Sequence, residues 1–393
     1  MTTPLTCQRE QFSLPRHVHY LNCAYMGPLS LAVQQAGIAG VMRKADPSRI
    51  AAADFFTQSN EARALFAALI NADDPQRIAL IPSASYGIAT AARNLKCAAG
   101  QNIVLTGEQF PSNVYSWLKL AQQRKAQIRT VSPLSVRQRG SAWNDALLEA
   151  IDERTAIVAV PHVHWTDGTR FDIQRVADRA RSFGAALVVD ATQSIGALPF
   201  DVQRTRPDAL ICAGYKWLLG PYSVAFAYFG TRFDDGEPLE ENWISRENSE
   251  DFRGLVHYRA AYQPGALRYD VGERSNFALL PMAVAALKQI HEWQPARIQR
   301  YCADLFADAV EEIRALGFGV ESKEWRASHL FGVRMPAGLD LAALHQDLQR
   351  AGISVALRGS AMRVAPNVYN DAADVKALVD TLRIFAETYA VRP

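Results

Sequence analysis

An aspartate and a lysine, each placed directly after an apolar run, are the residues of this chain best suited to chemistry. Asp190 closes ALVVD, and Lys216 follows DALICA within GYKWLLGP. If both runs are buried strands of one parallel sheet, the two side chains emerge at its carboxyl edge, where open α/β sheets bind ligands. A lysine there can form a Schiff base, and a carboxylate can hold a protonated pyridine nitrogen. The pair predicts the protein's half of a pyridoxal 5'-phosphate (PLP) site.

The surroundings of Lys216 favour this interpretation over the simpler ones. Asp190 alone is typical of a strand-end turn, and a lone lysine is most often on the surface. The neighbours of Lys216 are aromatic, apolar and glycine residues, and partial desolvation lowers the pKa of a Schiff-base lysine. Tyr215 offers a hydroxyl for the phosphate. Gln193, one turn beyond Asp190, can donate to the ring hydroxyl oxygen.

Two loops after the preceding apolar runs could complete the site. PSASYGIATAARNL follows the run at 78–82 and opens a helix, so Ala84 and Ser85 could cradle a phosphate. By itself this motif is better explained as a serine N-cap. Phe110 in EQFPSN could lie flat on a pyridine ring, although an aromatic residue in such a loop more often packs in the core.

The segment PHVHWTDGTRFD carries two histidines near an aspartate. His162 and His164 are two residues apart, but no third ligand has a useful spacing, so no metal site is predicted. We expect His162 to contact the cofactor and Trp165 to shape the substrate pocket.

Arg363 lies within a short apolar run, LRGSAMRVAPNVYN. A buried guanidinium is costly unless it is paired, and its planar fork matches a carboxylate at two points. Binding of a substrate carboxylate and a salt bridge at a domain interface are both compatible with this position.

Composition excludes several classes of function. The 393 residues include 42 basic and 40 acidic side chains, a net charge of +2, without a long run of one sign. Nucleic acid and anionic membranes are therefore not expected partners. No apolar stretch is long enough to span a membrane, and the first residues do not resemble a secretion signal. The five scattered cysteines are typical of reduced thiols in a cytoplasmic protein.

Apolar runs alternate with amphipathic stretches from about residue 78 to 230, which predicts a mainly parallel sheet covered on both faces. The last run follows its predecessor without an intervening helix, which favours an antiparallel direction for that strand. Residues 230–275 read as a long functional loop region. The predicted strands are 78–82, 102–107, 128–132, 156–160, 186–190, 208–213 and 224–229.

The predicted organisation is an α/β protein of two domains with an N-terminal arm. Residues 20–293 form the large domain with the seven-stranded sheet. Residues 294–393 form a small α+β domain from a helix at 295–316, strands at 329–335 and 353–357, the short RVAP strand, and helices at 340–351 and 371–389. The arm, residues 1–19, packs on the small domain.

Taken together, these motifs resemble the class V aminotransferase family within the fold-type I PLP enzymes. The resemblance runs from YLNCAYMGPLS (20–30) to RVAPNVYN (363–370), and the element from Asp190 to Gln193 followed by GYKWLLGP is its most specific part. It implies that Lys216 is the Schiff-base lysine and Asp190 the partner of the ring nitrogen, with Gln193 near the ring oxygen. The other roles that it implies are the phosphate cup (Ala84, Ser85, Tyr215) and substrate binding (Asn22, Arg363).

The resemblance also implies a homodimer whose site is completed by the neighbouring subunit. The GERSNF segment (272–277), with Ser275 and Asn276, matches a stretch that reaches the neighbouring subunit's phosphate.

Several departures from the family bear on the reaction. Phe110 in FPSN, GYK in place of GHK, and HVHW are similar to kynureninases, whereas Gln193 replaces their usual histidine, and Ala213 replaces a phosphate-binding serine that many relatives carry. The stretch RGSAM (358–362) lacks the nucleophilic cysteine of desulfurases, which disfavours a persulfide relay. We therefore expect a PLP-dependent lyase or hydrolase that cleaves at Cβ of an L-amino acid. An aminotransferase, an amino-acid epimerase and a non-enzymatic PLP-fold regulator are the alternatives.

Overall fold

The computed structural model describes residues 3–133, 138–336 and 339–389. The first two residues of the predicted arm and the last four of the predicted small domain lie outside this part. The strands are β1 (His19–Tyr20), β2 (Ile78–Ile81), β3 (Asn102–Thr106), β4 (Gln127–Val131), β5 (Thr155–Pro161), β6 (Ala186–Asp190), β7 (Ala209–Ala213), β8 (Ala225–Phe229), β9 (Gly319–Val320), β10 (Phe331–Arg334), β11 (Ile353–Ser354), β12 (Ala356–Arg358) and β13 (Ala361–Val364).

The helices connect and cover these strands. They are α1 (Leu31–Ala45), α2 (Asp54–Leu69), α3 (Ala84–Asn94), α4 (Tyr115–Arg124), α5 (Arg139–Glu149), α6 (Ile173–Ser182), α7 (Val202–Thr205), α8 (Leu279–Trp293), α9 (Pro295–Leu305), α10 (Ala307–Ala315), α11 (Leu341–Arg350) and α12 (Ala372–Tyr389). The predicted helix at 295–316 is thus two helices, which separate at Phe306.

A seven-stranded sheet is the centre of the molecule. Its order is β2-β8-β7-β6-β5-β3-β4. Strands β3 to β7 pair in parallel, whereas β8 runs antiparallel to both β7 and β2. The predicted mainly parallel sheet is therefore confirmed, and so is the reversed direction of its last strand. The direct loop from β7 to β8, without a crossover helix, explains the reversal.

Hydrophobic side chains cover both faces of this sheet, as a parallel sheet requires. On one face α2 packs on β8, where the rings of Phe66 and Phe226 stack with their centroids 4.6 Å apart. On the other face Trp117 of α4 is fully buried together with Ile103 and Ile211. With both faces covered, polar side chains of the central strands can meet a ligand only at the strand ends.

The C-terminal segment builds a second, four-stranded sheet of order β12-β13-β10-β9. The N-terminal arm joins this region, because β1 pairs in parallel with β11. Two buried contacts hold the arm: Arg9 Nη1 lies 3.1 Å from Asp374, and His19 Nδ1 lies 2.8 Å from the same carboxylate. These contacts join the N-terminal segment to the C-terminal region, and the predicted domain bounds stay a prediction.

The turn after Asp190 packs directly on the lysine segment. Gly196 in this turn has φ +103°, and a Cβ atom there would lie 2.3 Å from the carbonyl oxygen of Trp217. Only a residue without a side chain allows this approach. The turn and the segment that carries Lys216 are therefore fixed relative to each other.

We predict that Gly196→Ala lowers the melting temperature far more than Gly184→Ala. Gly184 also has a positive φ, +71°, but a Cβ atom there would meet nothing within 4 Å. Both variants carry the left-handed strain of roughly 1–2 kcal/mol, and only Gly196→Ala adds a backbone clash. Thermal unfolding of the two purified variants measures the difference. Equal losses would show that the close packing at Gly196 contributes nothing.

Candidate active site

A cavity of about 430 Å³ opens at the carboxyl edge of the large sheet, next to the ends of β5, β6 and β7. The structure brings most of the predicted site residues together around it. Those that line it are Ala84, Ser85, Phe110, Trp165, Asp190, Gln193, Tyr215 and Lys216. The cavity is also lined by residues for which the sequence predicted no role, among them Ser83, Gln109, Thr192, Tyr222 and Ser223.

Lys216 lies in the loop between β7 and β8 and is only 7% exposed. Its amine nitrogen Nζ lies 5.5 Å from the ring centroid of Phe110 and 5.6 Å from that of Tyr215. Burial, and then the positive charge of Arg363, lower the pKa of Lys216 to about 8. A far larger fraction of this amine than of an exposed lysine is therefore neutral, and hence nucleophilic, close to neutral pH.

Asp190 is the last residue of β6, and its side chain is 8% exposed. Its Oδ1 accepts a hydrogen bond of 3.1 Å from the backbone N–H of Thr192. Burial raises the pKa of Asp190, and it forms no ion pair with the described part of the chain. A cationic ring nitrogen in the cavity would supply the partner that this buried carboxylate lacks.

The N-terminus of α3 forms another wall of the cavity. Ser83 is the N-cap: its Oγ accepts from the backbone N–H of Tyr86 at 3.3 Å and lies 2.9 Å from Oγ of Ser85. The simple N-cap explanation is thus right for Ser83, while Ala84 and Ser85 occupy the first helical turn beside the cavity. Free N–H groups and hydroxyls at a helix N-terminus suit a phosphate group.

The side-chain amide of Gln193 is held in one orientation. Its Oε1 accepts a hydrogen bond of 2.8 Å from Nε1 of Trp217, and its Nε2 donates to the carbonyl oxygen of Ala24 at 3.2 Å. Because an indole nitrogen can only donate, the oxygen must face Trp217. One amide N–H remains available to a ligand oxygen.

Arg363 lies on β13 and is 1% exposed. Its Nη1 donates to the carbonyl oxygen of Trp165 at 2.8 Å, and its Nη2 donates to Oδ1 of Asn22 at 3.4 Å. Burial, and then the charge of Arg358, lower its pKa to about 9. No acidic residue of the described chain pairs with Arg363, so the domain-interface salt bridge is not seen there.

The predicted contact between His162 and the cofactor is not supported by the position of its side chain. Its side chain does not line the cavity: the ring packs against Phe200 with centroids 5.2 Å apart, and it borders a separate cleft that includes Arg170. Burial lowers the pKa of His162 to about 3, so the ring is neutral. The lining residues Pro161, Val163 and Trp165 alternate with it along the chain, which places its side chain on the other side.

His164 also has a structural role. One ring nitrogen lies 2.7 Å from the hydroxyl of Thr166, and the other lies 3.2 Å from the carbonyl oxygen of Gly107. In the described ranges, no three His, Cys, Asp or Glu side chains are grouped as metal ligands.

Ser275 and Asn276 do not meet Lys216 within one subunit. They border a different cavity, of about 210 Å³, beside Arg43 and Gly40 of α1. Asn276 Oδ1 accepts from the backbone N–H of Leu279 at 2.9 Å, at the start of α8. Their predicted role in the neighbouring subunit stays a prediction.

A model of the family described as aminotransferase class V matches residues 47–378. The chain belongs to the class V aminotransferase family. It is 27% identical over 323 residues to an uncharacterized aminotransferase of Bacillus subtilis (82% of each chain). It is 24% identical over 332 residues to the isopenicillin N epimerase of Streptomyces clavuligerus (82% of this chain, 83% of the relative).

Among solved structures, a mutant of the cystine C–S lyase C-DES, with glycine covalently linked to its PLP cofactor, superposes with a TM-score of 0.84. The match covers 96% of this chain and 99% of the other at 19% identity, which supports the fold alone. The present chain is a PLP-dependent enzyme of the class V family. No helix in the described ranges is long and apolar enough to cross a membrane.

The residues present fit this cofactor. Lys216 would hold it covalently, Asp190 would face the ring nitrogen, and the first turn of α3 would receive the phosphate. Bound PLP withdraws electrons from the Cα of an amino acid joined to it. The carboxylate of Asp190 would keep a proton on the ring nitrogen, and the ring of Phe110 would lie beside the cofactor near the Lys216 amine.

We predict that the Lys216 amine of the cofactor-free protein titrates with a midpoint near pH 8, and that Arg363→Gln raises this midpoint. The charge of Arg363 is the second largest cause of the lowered pKa, so its removal favours the protonated amine. Acylation of Lys216 as a function of pH, followed by peptide mapping, measures the midpoint.

Arg350→Gln is the matched control, because the side chain of Arg350 is 73% exposed on α11. It should leave the midpoint unchanged. Borohydride reduction of the holoenzyme should fix PLP to the same peptide. Fixation to another lysine, or an unshifted midpoint in Arg363→Gln, would contradict the assignment.

Proposed function

We propose that the protein is a lyase or hydrolase that cleaves a bond at Cβ of an L-amino acid and needs no keto-acid acceptor. Arg363 and Asn22 bind the substrate carboxylate beside Trp165. Lys216, released when the substrate binds, is a buried amine and removes the Cα proton. Asp190 maintains the proton on the ring nitrogen that makes this removal favourable. These roles are common to several reactions of the family, so the remaining cavity residues must distinguish them.

The observation that carries the proposal is the pair of aromatic side chains beside the Lys216 amine. Phe110 and Tyr215 stand within 5.6 Å of Nζ, measured to the ring centroids, at positions where the resemblance places histidines in much of the family. Burial raises the pKa of Tyr215, so its phenol keeps its proton at neutral pH. A protonated phenol in this wall can donate that proton to a group leaving Cβ.

An aminotransferase is the second candidate, because the same lysine, aspartate and arginine also serve amino-group exchange. The family assignment and the Bacillus relative favour it. Epimerisation, the activity named for the Streptomyces relative, requires proton delivery to the opposite face of Cα. The described cavity wall offers Tyr215 and Tyr222 as titratable donors besides Lys216 and Asp190.

Desulfurase activity by persulfide relay is disfavoured by the state of the cysteines. Cys23, Cys97, Cys212 and Cys302 are buried, and burial raises the pKa of each thiol, that of Cys23 to about 11. Cys7 is exposed but does not border the cavity. A relay needs an accessible thiolate at the cofactor, and none of the five meets this requirement.

We also propose that the enzyme is a homodimer in the cytoplasm. Helix α1 exposes Leu31, Ile38, Val41 and Met42, with exposed fractions from 46% to 65%, and such an apolar stripe is typical of an interface. The cavity at Ser275 and Asn276 is lined by the same helix, which supports contact of this segment with a neighbouring subunit. Five free cysteines suit a reducing compartment.

Turnover without an acceptor separates the two leading reactions. Cleavage at Cβ returns the enzyme to its starting state after each cycle, so we expect many equivalents of product per active site. An aminotransferase stops after one equivalent of keto acid until an acceptor is added. Purified holoenzyme is incubated with each amino acid, with and without a keto acid, and products and ammonia are counted. Lys216→Ala is the inactive control.

Tyr215→Phe tests the proposed proton donor in the same assay. We expect acceptor-free turnover to fall by about 100-fold, the usual loss of a general acid, with a smaller change in PLP affinity. One equivalent of keto acid in the wild type would establish transamination. A loss of PLP affinity alone in Tyr215→Phe would place the hydroxyl on the phosphate.

A further inference from the structure

Two arginines of one hairpin lie on the same face. In the antiparallel pair β12–β13, Arg358 lies opposite Ala361, and Ala356 lies opposite Arg363. Residues opposite each other share a face, and so do residues two apart on a strand. Arg358 and Arg363 therefore project from the same face of the hairpin.

Both guanidinium groups meet Trp165, which lines the cavity. The Arg358 guanidinium carbon lies 5.5 Å from the centroid of the Trp165 ring, and Arg363 Nη1 donates to the carbonyl oxygen of Trp165 at 2.8 Å. Trp165 in turn packs edge-on against Phe110, with centroids 5.3 Å apart. Phe110 is the aromatic ring beside the Lys216 amine, so Trp165 and Phe110 connect both guanidinium groups to the site.

Neither arginine is neutralised by an acid in the described part of the chain. Arg358 Nη1 donates to the carbonyl oxygen of Leu357 at 2.7 Å, and the Nε atoms of Arg358 and Arg363 are buried without a hydrogen-bond partner. The positive charge of Arg358 contributes to the lowered pKa of Arg363 and to that of Lys216. The three cationic groups therefore repel one another.

The nearby acids are already paired with other arginines. Asp167 forms ion pairs with Arg139 and Arg334, and Glu108 forms one with Arg139 at 2.6 Å. Two guanidinium groups therefore lie against Trp165, at the edge of the cavity, where binding of a single carboxylate requires one. Two partly desolvated cations without an acidic partner favour a ligand with two anionic groups.

We propose that the substrate is an L-amino acid whose side chain ends in a carboxylate, with Arg363 binding the α-carboxylate and Arg358 the side-chain carboxylate. The inference rests on the proposed function in requiring PLP and an amino-acid substrate. It is independent of whether cleavage at Cβ or amino-group exchange follows. The matching amide of such a side chain has nearly the same shape but no charge, so it cannot compensate the positive charge of the second guanidinium group.

Titration of the PLP-loaded enzyme with matched acids and amides tests this inference. L-Aspartate is compared with L-asparagine, L-glutamate with L-glutamine, and L-alanine serves as the amino acid without a polar side chain. The absorbance change of the bound cofactor reports a dissociation constant that does not depend on the reaction type. We expect one acid to bind about tenfold or more tightly than its amide, the effect of a charge-assisted hydrogen bond.

Arg358→Gln should remove most of this acid-over-amide preference and should weaken the acid far more than alanine. Arg358→Lys should restore part of it, because the charge returns without the planar fork. Arg350→Gln, on the exposed face of α11, is the control and should keep the wild-type preference.

Three outcomes would overturn the inference: equal affinities for acid and amide in the wild type, no binding of either acid, or an equal loss for acids, amides and alanine in Arg358→Gln. The last would show that Arg358 only supports Trp165. If the proposed Cβ cleavage is wrong, acceptor-free turnover stops at one equivalent while the acid preference persists, so the two failures are distinguishable.

Discussion

The desolvation of two oppositely charged groups at one sheet edge is the constraint on which the site depends. Burial lowers the pKa of Lys216 to about 8 and raises that of Asp190, so each group is held away from its preferred charge state. A cofactor that joins the amine covalently and presents a cationic nitrogen to the carboxylate satisfies both. The burial that makes these residues costly to the free protein would therefore favour binding of PLP.

The fold supplies this burial through a few close contacts. Strands β6 and β7 are parallel neighbours, so Asp190 and the lysine loop leave the sheet side by side. Gly196 lets the turn after Asp190 touch the backbone at Trp217, whose indole orients the Gln193 amide. The N-terminal segment packs on the lysine loop, where the backbone N–H of Gly27 donates to the carbonyl oxygen of Tyr215 at 2.9 Å. Rigid backbone packing thus positions the reactive side chains.

The sequence predicted the parts of the site that follow from strand ends, and it missed what depends on side-chain direction. Lys216 and Asp190 were recognisable because polar residues directly after buried apolar runs must reach the sheet edge. The pattern after β5 contains no information on which face of the chain meets the cavity, and the His162 ring packs against Phe200 instead. Thr192 lies between Asp190 and Gln193, so its position at the cavity could have been predicted from the sequence. The sequence indicated Arg358 only as the first residue of RGSAM, a stretch without cysteine. Its position on the same face as Arg363 follows from the register of the β12–β13 hairpin, which the sequence does not reveal.

The state of the cofactor's ring nitrogen tests the central claim most directly. Cofactor-free protein is reconstituted with PLP carrying ¹⁵N in the ring, and the nitrogen chemical shift is measured near neutral pH in the wild type and in Asp190→Asn. The account predicts a protonated nitrogen in the wild type and an unprotonated one in the variant, with PLP still attached to Lys216 in both. The same shift in the two proteins, or an unprotonated nitrogen in the wild type, would contradict it.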